Sequence, residues 1–195
     1  PYFREVDRVK YMAAHMIELT PIRGVDFSLG ESVVYSDRGP LLVYLIPIMF
    51  FKSAEHYNGD KDNVQWFANL DLNVIRNTNV YFSLFIDDLA LDDILKSDRQ
   101  RNYLGFTAGF QTYDVLLKNL EFTAEYTRIN PWVYTHKFTA TEFTNNGYIM
   151  GNWMGQNSDN VYFDLSYRPI RSVSFGGTMQ AFRKGGLKDI SYQYQ

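Results

Sequence analysis

The chain lacks several features that would narrow its function directly. It contains no cysteine, which excludes disulfide frameworks and thiolate metal sites. No window approaches about 18 consecutive apolar residues, so the sequence predicts no transmembrane helix. The formal net charge is −3, so no basic excess indicates binding to nucleic acid or anionic lipid. These absences leave open whether the protein is soluble or crosses a membrane with strands.

Recognisable catalytic motifs are also missing. The three histidines are His15, His56 and His136, and none has the spacing of an H-E-x-x-H or another metal-ligand motif. The sequence has no G-x-S-x-G and no glycine-rich phosphate loop. A barrel lipase would need a serine beside a histidine, and no serine pairs convincingly with His15. We therefore predict a protein that is not an enzyme and has no metal and no cofactor.

Alternation of apolar and polar residues is the strongest signal present. In the run from Leu120 to Asn130, one side of an extended strand carries Leu120, Phe122, Ala124 and Tyr126, and the other carries Glu121, Thr123, Glu125 and Thr127. On a helix the same residues would leave no apolar stripe, whereas strand side chains alternate between faces. The run therefore predicts a strand with one apolar and one polar face.

The same pattern recurs along the chain. Further predicted strands are Lys10–Thr20, Gly24–Tyr35, Asn63–Ile75, Val80–Asp88, Asn102–Asp114, Val161–Tyr167 and Ser172–Phe182. Phe67 is an exception, because it falls on the polar side of its strand. With 195 residues, 15 Tyr and 15 Phe, the chain predicts an all-β fold: an antiparallel up-and-down meander of about eight strands, forming a single segment over residues 1–195.

The connections between these strands alternate in length. Four short turns each end with a basic residue, after which an alternating strand begins; these residues are Arg23, Arg76, Lys118 and Arg171. The other connections are mostly long, above all residues 36–62 and 131–159. This asymmetry is typical of periplasmic turns and extracellular loops, and the strands have the length of about 9–11 residues that crosses a bilayer at a tilt. We predict part of a transmembrane outer-membrane β-barrel, and we interpret the chain as a fragment of a longer one.

One strand breaks its own pattern at Glu31. Alternation from Val25, Phe27 and Leu29 places this carboxylate on the apolar side, where lipid contact would cost free energy. A β-bulge at Leu29–Gly30 would turn Glu31 to the polar side, and we predict one there. The hairpin would also allow a His15–Glu31 contact, which we interpret as structural.

Two groups of loop residues are candidates for ligand binding. Aromatic faces beside amides and carboxylates suit sugar rings and hydroxyls, which selects Glu55, His56, Tyr57, Asn58, Trp132, Tyr134 and Trp153. The alternative is an ordinary polar loop tip with an Asn-Gly turn. The acidic run that begins at Asp87 could bind a hard cation, but it lacks the spacing of a calcium loop, so a solvated strand end is favoured.

Several short motifs carry a resemblance to a known family. They are Glu31-Ser-Val-Val-Tyr-Ser, Tyr44-Leu-Ile-Pro-Ile-Met-Phe-Phe51, Glu55-His-Tyr-Asn-Gly59, Asp62-Asn63, Ala14-His15 through Glu18-Leu19, and Phe85-Ile-Asp-Asp88. In these, and over roughly residues 10–90, the chain resembles the Wzi-type capsule assembly family. The resemblance implies a non-enzymatic barrel in the outer membrane of a Gram-negative bacterium, which binds or anchors exported surface polysaccharide.

The partners expected on this interpretation are outer-membrane lipid, surface polysaccharide and the missing remainder of the barrel, with no nucleic acid. Two alternatives stay open. One is a general porin-like channel in the outer membrane. The other is a soluble all-β module that binds carbohydrate.

Overall fold

Eight strands form one antiparallel sheet in the computed structural model, which describes residues 9–87 and 103–186. The strands are β1 (Lys10–Ile22), β2 (Val25–Ser36), β3 (Asn63–Ile75), β4 (Thr78–Asp87), β5 (Leu104–Tyr113), β6 (Leu120–Ile129), β9 (Ser158–Ile170) and β10 (Val173–Lys184). The order in the sheet is β1-β2-β3-β4-β5-β6-β9-β10, and β7 (Thr144–Asn145) pairs with β8 (Tyr148–Ile149) separately. The predicted eight-stranded meander is confirmed. Within the described residues the sheet is open, with β1 and β10 at its edges.

Short turns and long loops lie at opposite ends of this sheet. Two-residue turns join β1 to β2, β3 to β4 and β9 to β10, and a six-residue turn joins β5 to β6. Gly24 and Asn77 have φ angles of 82° and 56°, the left-handed conformation that tight hairpins require. The other end, the loop end, carries residues 37–62, named the first loop, and residues 130–157, named the second loop. The predicted segregation of loop lengths is therefore found in the structure.

The apolar face of the sheet consists of rows of side chains that lie directly opposite one another across the strands. One row crosses all eight strands: Leu19, Phe27, Leu70, Phe82, Ala108, Tyr126, Val161 and Ala181. The next row toward the turns is Val25, Leu72, Val80, Phe110, Ala124, Phe163 and Met179. Neither row contains a charged residue.

The polar face lies on the other side of the same strands. A row between the two apolar rows reads Asp26, Asp71, Tyr81, Gly109, Glu125, Tyr162 and Gln180. Its side chains bond across strands: the Tyr81 hydroxyl donates to Glu125 Oε2 at 2.8 Å. The side chains of Thr107 and Thr127 are bonded at 3.0 Å. The alternation along each strand thus places apolar and polar residues on opposite faces of the sheet, as the sequence predicts.

The predicted bulge at Leu29–Gly30 is wrong. β1 and β2 pair without a break from His15–Glu31 through Ile17–Leu29, so Glu31 remains on the apolar face. Gly30 is instead needed because its neighbours leave no room for a side chain. A Cβ atom there would lie 2.5 Å from the carbonyl oxygen of His15 and 2.5 Å from the Phe67 ring. Phe67 therefore covers a strand glycine on the polar face, which explains its exceptional position.

Replacing Gly30 with Ala should destabilise the protein by about 1–3 kcal/mol, because the new methyl group must displace a backbone oxygen and an aromatic ring. The matched control is Gly177→Ala in β10, where a Cβ atom would meet nothing within 4 Å. Urea unfolding of both variants under identical conditions measures the difference in their free energies of unfolding. Equal stability of the two would mean that the contact between Gly30 and Phe67 is not tight.

Candidate functional site

The first loop packs on the apolar face at its loop end. It contains a short 3-10 turn (Leu42–Leu45) and helix α1 (Phe51–Tyr57). Tyr44, Phe51 and Ala54 from this loop are buried against Val33 and Val64, which are apolar-face positions of β2 and β3. This part of the apolar face is therefore covered by protein.

Glu31 lies beneath this cover and is only 6% exposed. Its Oε1 atom accepts a hydrogen bond from the backbone N–H of Phe51 at 2.7 Å and lies 3.0 Å from Nε2 of His15. The His15 ring in turn packs on Phe51, with 4.3 Å between ring centroids. The predicted contact between His15 and Glu31 is confirmed, and the two residues are direct partners across the hairpin. The carboxylate is thus bonded by His15 and Phe51 and is shielded from solvent on the apolar face.

Asp62 fixes the other end of the first loop. It is buried, accepts a hydrogen bond from the Tyr44 hydroxyl at 2.6 Å and is ion-paired with Arg38. Burial raises the pKa of the Tyr44 hydroxyl, and the hydrogen bond to Asp62 adds to the rise. Tyr44 therefore stays protonated and keeps donating over the physiological range of pH.

The second loop packs on the opposite, polar face. Its residues Val133, Tyr134, Phe143 and Met154 form a buried cluster with strand residues that include Val34 and Ile129. Lysines of the two edge strands hold the loop through backbone carbonyl groups. Lys10 of β1 donates to the carbonyls of Glu142 and Thr144 at 2.9 and 2.8 Å. Lys184 of β10 donates to those of Met154 and Gln156 at 2.6 Å each. One loop is thus attached to both edges of the sheet.

Tyr134 is the centre of the second loop. Its φ angle is 73°, unusual for a bulky residue, and its backbone N–H donates to the buried carboxylate of Asp87. Its hydroxyl accepts from the N–H of Asn152 at 2.9 Å, and its ring lies where a Cβ atom of Gly151 would be. Burial raises the pKa of Tyr134. Asp87 is consequently not the solvated strand end that we expected, and residues 88–93 lie outside the described residues.

A cleft of about 260 Å³ lies between the second loop and the polar face. It is lined by aromatic rings and by uncharged polar groups, chiefly Phe67, Phe85, Tyr134, Asn69, Ser83, Thr107 and Asn152. No Asp, Glu, Lys, Arg or His is among the described residues that line it. Such a lining suits a neutral ligand with both an apolar surface and hydrogen-bonding groups.

Sequence reasoning identified only Tyr134 among these residues. A signal was present, since Phe67 and Phe85 are phenylalanines on the polar side of their strands. They are direct partners across β3 and β4. Their convergence with residues 151 and 152 depends on how the second loop folds back, which no local pattern encodes.

The structure does not bring the seven predicted ligand residues into one site, because the two loops lie on opposite faces. In the first loop, Glu55 is buried beside Lys52, and the side chain of Asn58 reaches the Tyr44 hydroxyl. His56 is exposed and pairs with Asp60 at 3.2 Å, and Tyr57 is 92% exposed.

In the second loop, Trp132 is half-buried and Tyr134 is buried. Trp153 is 69% exposed, and its ring centroid lies 5.4 Å from that of Phe182 in β10. Tyr57 and Trp153 are therefore the predicted aromatic residues with most of their surface free.

The described residues contain no group of three or more His, Cys, Asp or Glu side chains that could hold a metal ion. Within the same ranges, no helix has both the length and the apolar character to span a membrane. Comparisons with models of known protein families, with curated proteins and with solved structures find no match to this chain. The resemblance to the Wzi-type family therefore depends on the quoted motifs alone.

Replacing Asp87 with Ala should release the second loop while leaving the sheet intact. The variant removes the acceptor of the buried Tyr134 N–H, which should cost about 1–3 kcal/mol. We expect faster tryptic cleavage at Lys137, which is exposed in this loop. Asp87→Asn keeps an acceptor oxygen and should restore part of the resistance.

The matched control for this variant is Asp164→Ala. Asp164 accepts a hydrogen bond from Thr178 at 2.6 Å on the polar face. Among the described residues, it forms no hydrogen bond with the second loop. Its removal should leave the cleavage rate unchanged. Equal cleavage of the Asp87 and Asp164 variants would show that the buried carboxylate does not hold the loop.

Proposed function

We propose that the chain forms part of the wall of an outer-membrane β-barrel. The observation that supports this most directly is the pair of apolar rows, which run across the strands without a charged residue and remain open to the surroundings. Leu19, Phe163 and Met179 are exposed members of these rows, and Met179 is 61% exposed. Water-soluble monomers rarely expose a continuous apolar surface of this extent. In a barrel the same face would meet lipid, and the polar face would line the interior.

The two edge strands support the same proposal. β1 and β10 are 13 and 12 residues long, and neither has a second partner strand among the described residues. Open edges are not tolerated in the hydrocarbon region, because their N–H and C=O groups would be unpaired. The proposed partners of these edges are further strands of the same barrel, supplied by the remainder of a longer chain.

We further propose that this barrel handles surface polysaccharide without catalysing a reaction. The uncharged cleft supports the proposal, because the CH surface of a sugar ring can pack on Phe67, Phe85 or Tyr134 while amide and hydroxyl groups bond its edges. The resemblance to the Wzi-type family adds independent support. Tyr57 and Trp153, on other surfaces, offer additional aromatic contacts.

A porin-like channel is the alternative, and one observation favours it. The polar face carries six carboxylates on the side nearer the turns, at Glu18, Asp26, Asp71, Glu121, Glu125 and Asp164. Such a surface would suit the passage of hydrated cations. The second loop covers the polar face at the other end, which supports binding over free passage. The soluble module is less compatible with the open apolar rows.

Placing Arg at Ala124 should cost about 2–4 kcal/mol of stability in lipid if this position lies near the bilayer midplane. Ala124 lies in an apolar row between Phe110 and Phe163. The control is Thr123→Arg, one residue away on the polar face, beside Gln111 and Asp164. Urea unfolding of the two variants in lipid vesicles compares their free energies of unfolding. Equal tolerance of both substitutions would argue against a lipid-facing sheet.

Filling the cleft should abolish polysaccharide retention. Ser83→Trp places an indole in the cleft, whereas Ser83→Ala keeps it open and is the matched control. In cells, the Trp variant should release surface polysaccharide while the amount of protein in the outer membrane stays constant. With an uncharged gluco-oligosaccharide and purified protein, affinity should fall by about tenfold or more, that is about 1.4 kcal/mol. Unchanged retention together with reduced flux of small solutes would favour the channel instead.

A further inference from the structure

The first loop contains an apolar run whose outer side is uncovered. Residues 41–51 include no charged side chain, and they read Leu-Leu-Val-Tyr-Leu-Ile-Pro-Ile-Met-Phe-Phe. Tyr44 and Phe51 are buried against the sheet, and Met49 packs beside them. The exposed large side chains are Leu42, Leu45, Ile46, Ile48 and Phe50, and Ile48 is 93% exposed. We name residues 41–50 the apolar flap.

The flap carries apolar side chains on both sides, one packed against the sheet and the other exposed. Its inner side rests on Val33 and Val64, which belong to the apolar face. Its outer side therefore points away from the sheet, in the direction in which the apolar face itself points. The apolar surface of the strands at Leu29 and Ile17 thus continues onto the loop, with Glu31 covered at the junction.

The flap is held in this position by specific bonds. Its two ends are fixed by Glu31, which bonds the N–H of Phe51, and by Asp62, which bonds the Tyr44 hydroxyl. Within it, backbone bonds from Tyr44 to Leu41 and from Met49 to Ile46 are each 3.1 Å long. Outward exposure of its leucine and isoleucine side chains is thus a fixed feature of the fold.

We infer that the apolar flap lies in the outer leaflet of the bilayer, with lipid acyl chains as the partner of its exposed side. The inference rests on the proposed function, since it requires the apolar face to meet lipid. Continuity with that face and the lack of charge favour acyl chains over water or a polar ligand. Arg38 and Lys52 flank the flap in the sequence, and long basic side chains can extend to the headgroup level while their stems stay among apolar groups. The flap also keeps lipid away from the Glu31 carboxylate.

Spin labelling tests the location of the flap, and because these 195 residues contain no cysteine, an introduced cysteine is the single labelling site among them. Ile48→Cys is labelled, and the full protein is reconstituted into phosphatidylcholine–phosphatidylglycerol vesicles. Collision of the label with oxygen, which concentrates in lipid, is compared with collision with a water-soluble nickel chelate. Phe163→Cys in an apolar row is the lipid reference. Tyr57→Cys, at the exposed end of α1, is the water reference.

The ratio of oxygen to nickel collision at Ile48→Cys should match that of Phe163→Cys within about a factor of two and exceed that of Tyr57→Cys by about tenfold. Nickel accessibility equal to that of Tyr57→Cys would overturn the inference, because the flap would then face water. Protection from both reagents would also overturn it, since a second copy or another protein segment would cover the flap. If Phe163→Cys itself contacts nickel, the proposed barrel fails, which is a separate result.

Discussion

The antiparallel register, which shifts only beside the three two-residue turns, fixes the face that each side chain of this sheet occupies. Because a shift by one residue would exchange the two faces of a strand, the apolar rows and the polar row can coexist only in this register. The pairing extends across all eight strands of the sheet, so the same alternation is repeated from β1 to β10. This constraint places Glu31 on the apolar face and Phe67 and Asp87 on the polar face.

Much of the sheet was predictable because alternation is a local property. Leu120–Asn130 contains its own strand signal, and Arg76-Asn77 contains its own turn signal, without reference to distant residues. The loops were not predictable in this way. The helix at Phe51 and the second loop around Tyr134 are fixed by contacts with strands far away in sequence, such as those to Glu31 and Asp87. The cleft was missed for the same reason.

Glu31 illustrates how a correct local argument can give a wrong structural answer. A carboxylate on an apolar face needs hydrogen-bond partners or a way to leave that face. Gly30 looked like the site of a bulge that would turn Glu31 to the polar face. The carboxylate instead stays on the apolar face, where the backbone N–H of Phe51 in α1 and the ring of His15 in β1 are its partners. Gly30 serves the opposite face, where the Phe67 ring needs the space. Gly30 was thus interpreted as a device for the apolar face, whereas its lack of a side chain is needed on the polar face.

The two loops divide the loop end of the sheet between two environments. The first loop extends the apolar face, and the second loop covers the polar face and is bonded by lysines of both edge strands. If the apolar face meets lipid, the first loop belongs to the membrane side and the second to the interior. Residues that bind a polar ligand should then be sought around Tyr134 and Ser83 before the first loop. The resemblance in the first loop, at Tyr44–Phe51, would on this view reflect how the barrel contacts its membrane rather than how it holds a ligand.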